Sequence, residues 1–167
     1  LGGGFTGVAA AYFLSRKGCD VALVEKGSLG GGATGRSTGF LWNGIHHYYS
    51  KSQGIHGPQK TQTIWALTRQ NQALLEEVIH SENLSCDYQK TGSYRAASSE
   101  AEAKVLLESA EQLKRDHFSV ENRSLPGFRE AFFCPEDGLF HPVKFVRELA
   151  QVAEKNGARI FEKSKVE

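Results

Sequence analysis

Methionine is absent from this 167-residue sequence, and cysteine occurs only three times. With no initiator and an opening of Leu1-Gly2-Gly3-Gly4, the chain reads as an internal piece of a longer protein, Leu1 being the last residue of an interrupted element. The other end, Lys165-Val166-Glu167, likewise stops without a tail. Cys19, Cys86 and Cys134 make no C-x-x-C or Cys/His ligand spacing, which argues against a zinc site. Their odd count and wide separation argue against a disulfide framework and fit a reducing, cytoplasmic setting. No apolar run approaches the ~18 residues that a membrane-spanning helix needs. Neither sign of charge dominates: 20 basic and 19 acidic residues leave a net +1, with a mean hydropathy of −0.40. This balance makes no electrostatic case for nucleic acid or for an anionic membrane. Residues 1–60 are locally basic, with six Lys/Arg against two Asp/Glu, which suits an anionic ligand.

Glycine, by contrast, is plentiful at 18 residues, crowded toward the start. After the glycine loop, residues 8–17 are rich in helix formers and Gly18 is a natural stop. Val21–Val24 is a short apolar run of the kind found in buried parallel strands. Residues 27–39 form a second glycine-rich loop, and residues 40–58 read as irregular. A helix is expected over 59–81, from the period of Ile64, Leu67, Leu74, Leu75, Val78 and Ile79. A strand follows over 92–97. Ser99 and Glu102 make a capping box for a third helix, with Ala103, Leu106, Leu107, Ala110 and Leu113 on its inner face. Residues 117–141 read as loops and short strands. A fourth helix starts near Pro142 and ends by Gly157, and a last strand covers 158–162. The βαβ rhythm at both ends implies a parallel sheet, and the middle breaks it.

Gly2-Gly3-Gly4-Phe5-Thr6-Gly7 is G-x-G-x-x-G at a strand-to-helix turn. Such glycines permit the tight turn, the approach of backbone to a pyrophosphate and close helix–sheet packing, while the helix N-terminus favours the phosphates. Glu25 ends the next strand, where a carboxylate can accept hydrogen bonds from the ribose hydroxyls of an adenosine and would repel a 2′-phosphate. The fingerprint alone leaves NAD and FAD open.

The segment Gly31-Gly32-Ala33-Thr34-Gly35-Arg36-Ser37-Thr38-Gly39, coming directly after Glu25-Lys26, resembles the FAD-dependent oxidoreductases of the D-amino-acid oxidase superfamily. That group includes the glycine, sarcosine and gamma-glutamylputrescine oxidoreductase-like enzymes. Ser37 stands where the family often has Asn. The stretch Asp137-Gly138-Leu139-Phe140-His141-Pro142, followed by a helix, Gly157 and a strand, is also similar to it. The resemblance implies an α/β fold: a Rossmann-like FAD-binding domain with a parallel sheet, plus part of an inserted α+β substrate subdomain, truncated at both ends. Residues 1–83 and 134–167 would form the FAD-binding domain and 84–133 part of the subdomain. It also implies roles. Gly2, Gly4, Phe5, Thr6 and Gly7 would hold the pyrophosphate, and Glu25, with Lys26 beside it, the ribose. Ala33 and Thr34 would add phosphate donors. Arg36 and Ser37 would lie along the ribityl and phosphate region, and Thr38, Gly39 and Phe40 near the flavin ring. Val166 would offer backbone to adenine, although packing after the last strand is an equal reading.

The implied reaction is oxidation of a small amine or amino acid by hydride transfer to FAD, with electrons passed on to oxygen or another acceptor. An NAD-binding dehydrogenase domain and an inactive nucleotide-binding fragment are the rival readings. His46 and His47 follow the flavin loop but match no covalent attachment motif, and packed or exposed histidine is the simpler reading. His141 reads as a helix starter. No catalytic residue is assigned. The last strand's position and the thin middle sheet lead to the expectation that this piece alone is weakly folded and inactive.

Overall fold

The computed structural model describes residues 2–167. It contains α1 (Phe5–Arg16), β1 (Ala22–Val24), a short 3-10 turn (Thr34–Arg36), β2 (Phe40–Leu41), α2 (Tyr49–His56), α3 (Pro58–Ser81), β3 (Ser93–Ala97), α4 (Glu100–Arg115), β4 (Glu121–Asn122), β5 (Glu130–Cys134), β6 (Gly138–Leu139), α5 (Pro142–Lys155) and β7 (Arg159–Phe161). The chain divides into two compact units. The first comprises residues up to Phe40 together with Glu76–Tyr88 and Phe140–Glu167; the second comprises Leu41–Leu75 and Gln89–Leu139.

In the first unit, β1 and β7 pair in parallel, with Leu23 opposite Ile160. Helices α1 and α5 pack through Val8, Ala11, Val146, Leu149, Ala150 and Ala153, each at most 2% exposed. Phe5, Phe140 and Phe145 form a three-ring cluster with centroids 5.4–6.0 Å apart, as edge-on or tilted pairs. At the start of α5, Pro142 occupies the first turn and His141 Nδ1 accepts the Lys144 N–H at 3.3 Å, so His141 is the helix cap. Tyr12, fully buried, ties α1 to the end of α3: its hydroxyl donates to Glu82 Oε1 and accepts from Arg16, both at 2.6 Å.

The second unit holds an antiparallel sheet in the order β3-β5-β4. Arg95 lies opposite Phe132 in its register. Helix α4 lays Ala103, Leu106, Ala110 and Leu113 on a core shared with Tyr49, Trp65, Ala97, Phe118 and Phe132. The Ser99–Glu102 capping box is formed in both directions.

Several expectations change. Residues 41–75 group with the antiparallel sheet rather than with the glycine loops, because Tyr49 and Trp65 belong to that core. Residues 49–56 are helical where an irregular segment was expected. In the middle of the chain, the short strands expected within 117–141 include β4 and β5, which join β3 in one three-stranded sheet. Leu67, Leu74 and Leu107 point outward, at 59%, 43% and 45% exposure, so each helix buries a narrower stripe than its apolar pattern suggests.

Candidate dinucleotide-binding site

The first glycine loop is folded onto the end of β1. Gly2 takes φ +69°, a conformation that favours glycine, and its N–H donates to Val24 O at 3.0 Å. Gly3 is buried. Its N–H donates to Glu25 Oε2 at 2.6 Å, and its carbonyl accepts the Gly30 N–H at 2.8 Å. A Cβ at Gly3 would stand 2.5 Å from Leu29 Cδ2 and 3.2 Å from Glu25 Cβ. Gly4 is the N-cap of α1; a Cβ there would approach Thr34 Oγ1 at 3.1 Å, and that same oxygen accepts the Phe5 N–H at 3.2 Å. Thr34, 6% exposed, thereby links the second loop to the start of α1. The first turn of α1 has no acidic residue to offset the positive end of the helix.

Glu25 is the electrostatic centre of this arrangement. Oε2 accepts the Gly3 N–H and Oε1 the Gly27 N–H, both at 2.6 Å. These two bonds, with Lys26 helping, hold its carboxyl below the usual range against the opposing effect of burial. Each carboxylate oxygen keeps a lone pair for a further donor.

Together these residues line a hollow of about 440 Å3. Of the expected site residues, Gly2, Gly4, Phe5, Thr6, Gly7, Glu25, Ala33, Thr34 and Ser37 line it; Lys26, Arg36, Thr38, Gly39, Phe40 and Val166 do not. Lys26, Arg36 and Thr38 are exposed. Gly39 (φ +77°) is closely packed: a Cβ would fall 2.1 Å from Phe140 O. Phe40 is 61% exposed. Val166 is 74% exposed and lies beyond β7, so it is not packed as part of the strand. The segment leading to it runs beside Glu25, with Ser164 N–H on Glu25 O at 2.9 Å and Lys163 N–H on Gly27 O at 2.8 Å. Gly3 and Gly32 also line the hollow although the fingerprint assigns them no role. For Gly3 the signal was present as an unbroken run of three glycines where the motif needs two. Among the described residues no cluster of His, Cys, Asp and Glu could hold a metal ion, and no helix is long and apolar enough to cross a membrane.

The geometry fits the adenosine–pyrophosphate end of a dinucleotide: a cradle of glycines, an open helix N-terminus and an ionised carboxylate beside them. The Haemophilus influenzae protein named "Probable oxidoreductase OrdL" is 28% identical over 178 residues, and the gamma-glutamylputrescine oxidoreductase of Escherichia coli is 24% identical over 176. Each alignment takes in 99% of this chain, and the chain spans 41% of the length of either relative. The crystal structure of glycine oxidase from Geobacillus kaustophilus superposes with a TM-score of 0.79 at 23% identity, covering 99% of this chain and 46% of that one, which shows a shared fold. The family described as DAO, FAD dependent oxidoreductase, matches residues 1–167, and the chain belongs to that family.

Proposed function

We propose that this chain supplies the nucleotide-binding side of a flavoenzyme that oxidises a small amine or amino acid. The observation that carries the proposal is the Glu25 carboxylate, fixed by Gly3 and Gly27 at the edge of a glycine-lined hollow. Bound there, FAD would supply the hydride acceptor for a carbon next to nitrogen. The chain's own residues bind and orient. Glu25 accepts from the ribose hydroxyls, the N–H groups at the start of α1 face the pyrophosphate, and Ala33, Thr34 and Ser37 close the second loop over the phosphates. Lys26, Arg36, Thr38, Gly39, Phe40 and Val166 belong to the same reading: Lys26 lies next to the ribose partner, Arg36 along the ribityl and phosphate region, Thr38, Gly39 and Phe40 near the ring, and Val166 offers backbone to adenine.

Glu25 is the only strongly acidic or basic side chain among the described residues lining the hollow, so none of these residues is assigned to proton transfer. Oxygen or another acceptor would take the electrons onward. A reducing, cytoplasmic setting is part of the proposal and rests on the odd number and wide spacing of the three cysteines.

The test is titration of the apoprotein with FAD. Loss of charge-assisted bonds to the ribose in Glu25→Ala is expected to cost roughly 1.5–3 kcal/mol, a weakening of about tenfold or more. Unchanged affinity would remove Glu25 from the site.

A further inference from the structure

The second unit contains a separate cavity of about 290 Å3, at the small end of ligand pockets. Its walls are aromatic: Tyr49, Trp65, Phe118 and Phe132 are all 6% exposed or less, and Trp42 stands at the rim at 46%. Arg95 enters it from β3 and lies 4.6 Å over the Trp42 ring. Its guanidinium is held but not saturated. One nitrogen donates to Ser93 Oγ at 3.3 Å, and another is 3.6 Å from Asp137 Oδ2, beyond hydrogen-bond length. Asp137, 1% exposed, forms an ion pair with Arg95 at that distance and also accepts the Asn43 N–H at 3.0 Å and the Ser93 O–H at 2.5 Å. A guanidinium carries more N–H donors than these two contacts use, and among the described residues no carboxylate lines the cavity.

The rim is pinned by contacts around Asn43 and Gly44. Gly44 (φ +102°) rests on Trp65, where a Cβ would fall 2.5 Å from the indole. The Gly44 N–H donates to Thr68 Oγ1 at 2.9 Å, and the Thr68 hydroxyl donates to Asn43 Oδ1 at 2.6 Å. A pocket fixed before binding avoids the ordering cost that a loose one carries.

We propose that this cavity binds a small carboxylate with an aromatic body, the carboxylate paired with Arg95 and the ring laid against Trp65 and Phe132. The size admits one ring. The guanidinium matches a planar carboxylate in two-pronged geometry, and it opposes an amine of the same shape. The site lies within the second unit and does not depend on the flavin reading.

Both tryptophans of the chain, Trp42 and Trp65, line the cavity, so intrinsic fluorescence reports on its occupancy. The probes are phenylacetate and its uncharged isostere phenylacetamide, titrated into the full chain. Phenylacetate should give a saturable fluorescence change, with phenylacetamide weaker by about tenfold, the worth of one charge-assisted contact. In Arg95→Gln the two probes should bind alike. The comparison of acid with amide on the unaltered chain is decisive even where that variant fails to fold. Equal affinity for the two probes, no saturable change, or a preference for the acid that survives Arg95→Gln overturns the proposal.

Discussion

Gly44 and Gly54 sit ten positions apart and should respond to alanine with opposite signs. At Gly44 the backbone takes φ +102°, and a Cβ would press into the Trp65 ring. Each problem is worth about 1–3 kcal/mol, so Gly44→Ala should destabilise by roughly 2 kcal/mol or more. Gly54 lies inside α2 with open space around it, and alanine there should stabilise by about 0.5–1 kcal/mol through helix propensity. Denaturant midpoints at unchanged slope check both. Glu25 allows a pH prediction. Its folded value lies below the ordinary 4.5, so its bonds to Gly3 and Gly27 stabilise the loop above that pH and are lost as the pH falls through the lower, folded value. The amide proton shifts of Gly3 and Gly27 should therefore titrate together with a midpoint under 4.5, and a midpoint at or above it contradicts the assignment. The fingerprint glycines and Glu25 were legible because their backbone demands follow from the motif itself. The role of Gly3 was not, because it depends on Leu29 and Glu25 arriving from elsewhere in the chain.

Among the elements, the starts of α4 and α5 were legible. Both carry local start signals that need no tertiary partner: Ser99 with Glu102, and His141 with Pro142. Ser99→Ala removes an acceptor at the end of an exposed cap, and a loss of about 1 kcal/mol in thermal or denaturant stability is expected. No loss at all would mean that the end of α4 rests on packing alone. Helix α2 was illegible for the opposite reason. Tyr-Ser-Lys-Ser-Gln-Gly-Ile-His has no apolar period and a central glycine. It is held from outside: the Ser50 N–H donates to Ser109 Oγ at 3.1 Å, the Tyr49 hydroxyl donates to Asp116, and the Tyr49 ring meets Trp65 edge-on at 4.9 Å. The division of the chain was misplaced on the same account. Loop 41–48 and the first part of α3 look like a continuation of the glycine loops in sequence, and only the pairing of Tyr49 and Trp65 with Phe132 shows which core they join.

At the scale of the whole chain, the parallel pair β1–β7 and the three-stranded sheet are both small, and small sheets stand near the margin of independent stability. A ligand that binds the folded state should therefore change the melting behaviour visibly. Saturation at about a hundred times Kd adds roughly 2.7 kcal/mol, which for a chain of this length moves Tm by roughly 5–10 °C. In the proposed function the hollow in the first unit supplies a ribose acceptor, Glu25, and a glycine cradle for phosphates. Those contacts would belong to the adenosine–pyrophosphate half of FAD. ADP carries that half without the ring, and riboflavin carries the ring without that half. At equal concentrations ADP should reproduce a large share of the shift produced by FAD, and riboflavin should give little. Glu25→Ala should reduce the shifts from FAD and ADP together, because both lose the same ribose partner. A riboflavin shift equal to that of FAD, with none from ADP, would show that the ring rather than the adenosine half is what this chain holds. The roles given to the glycine loop and Glu25 would then have to be withdrawn together.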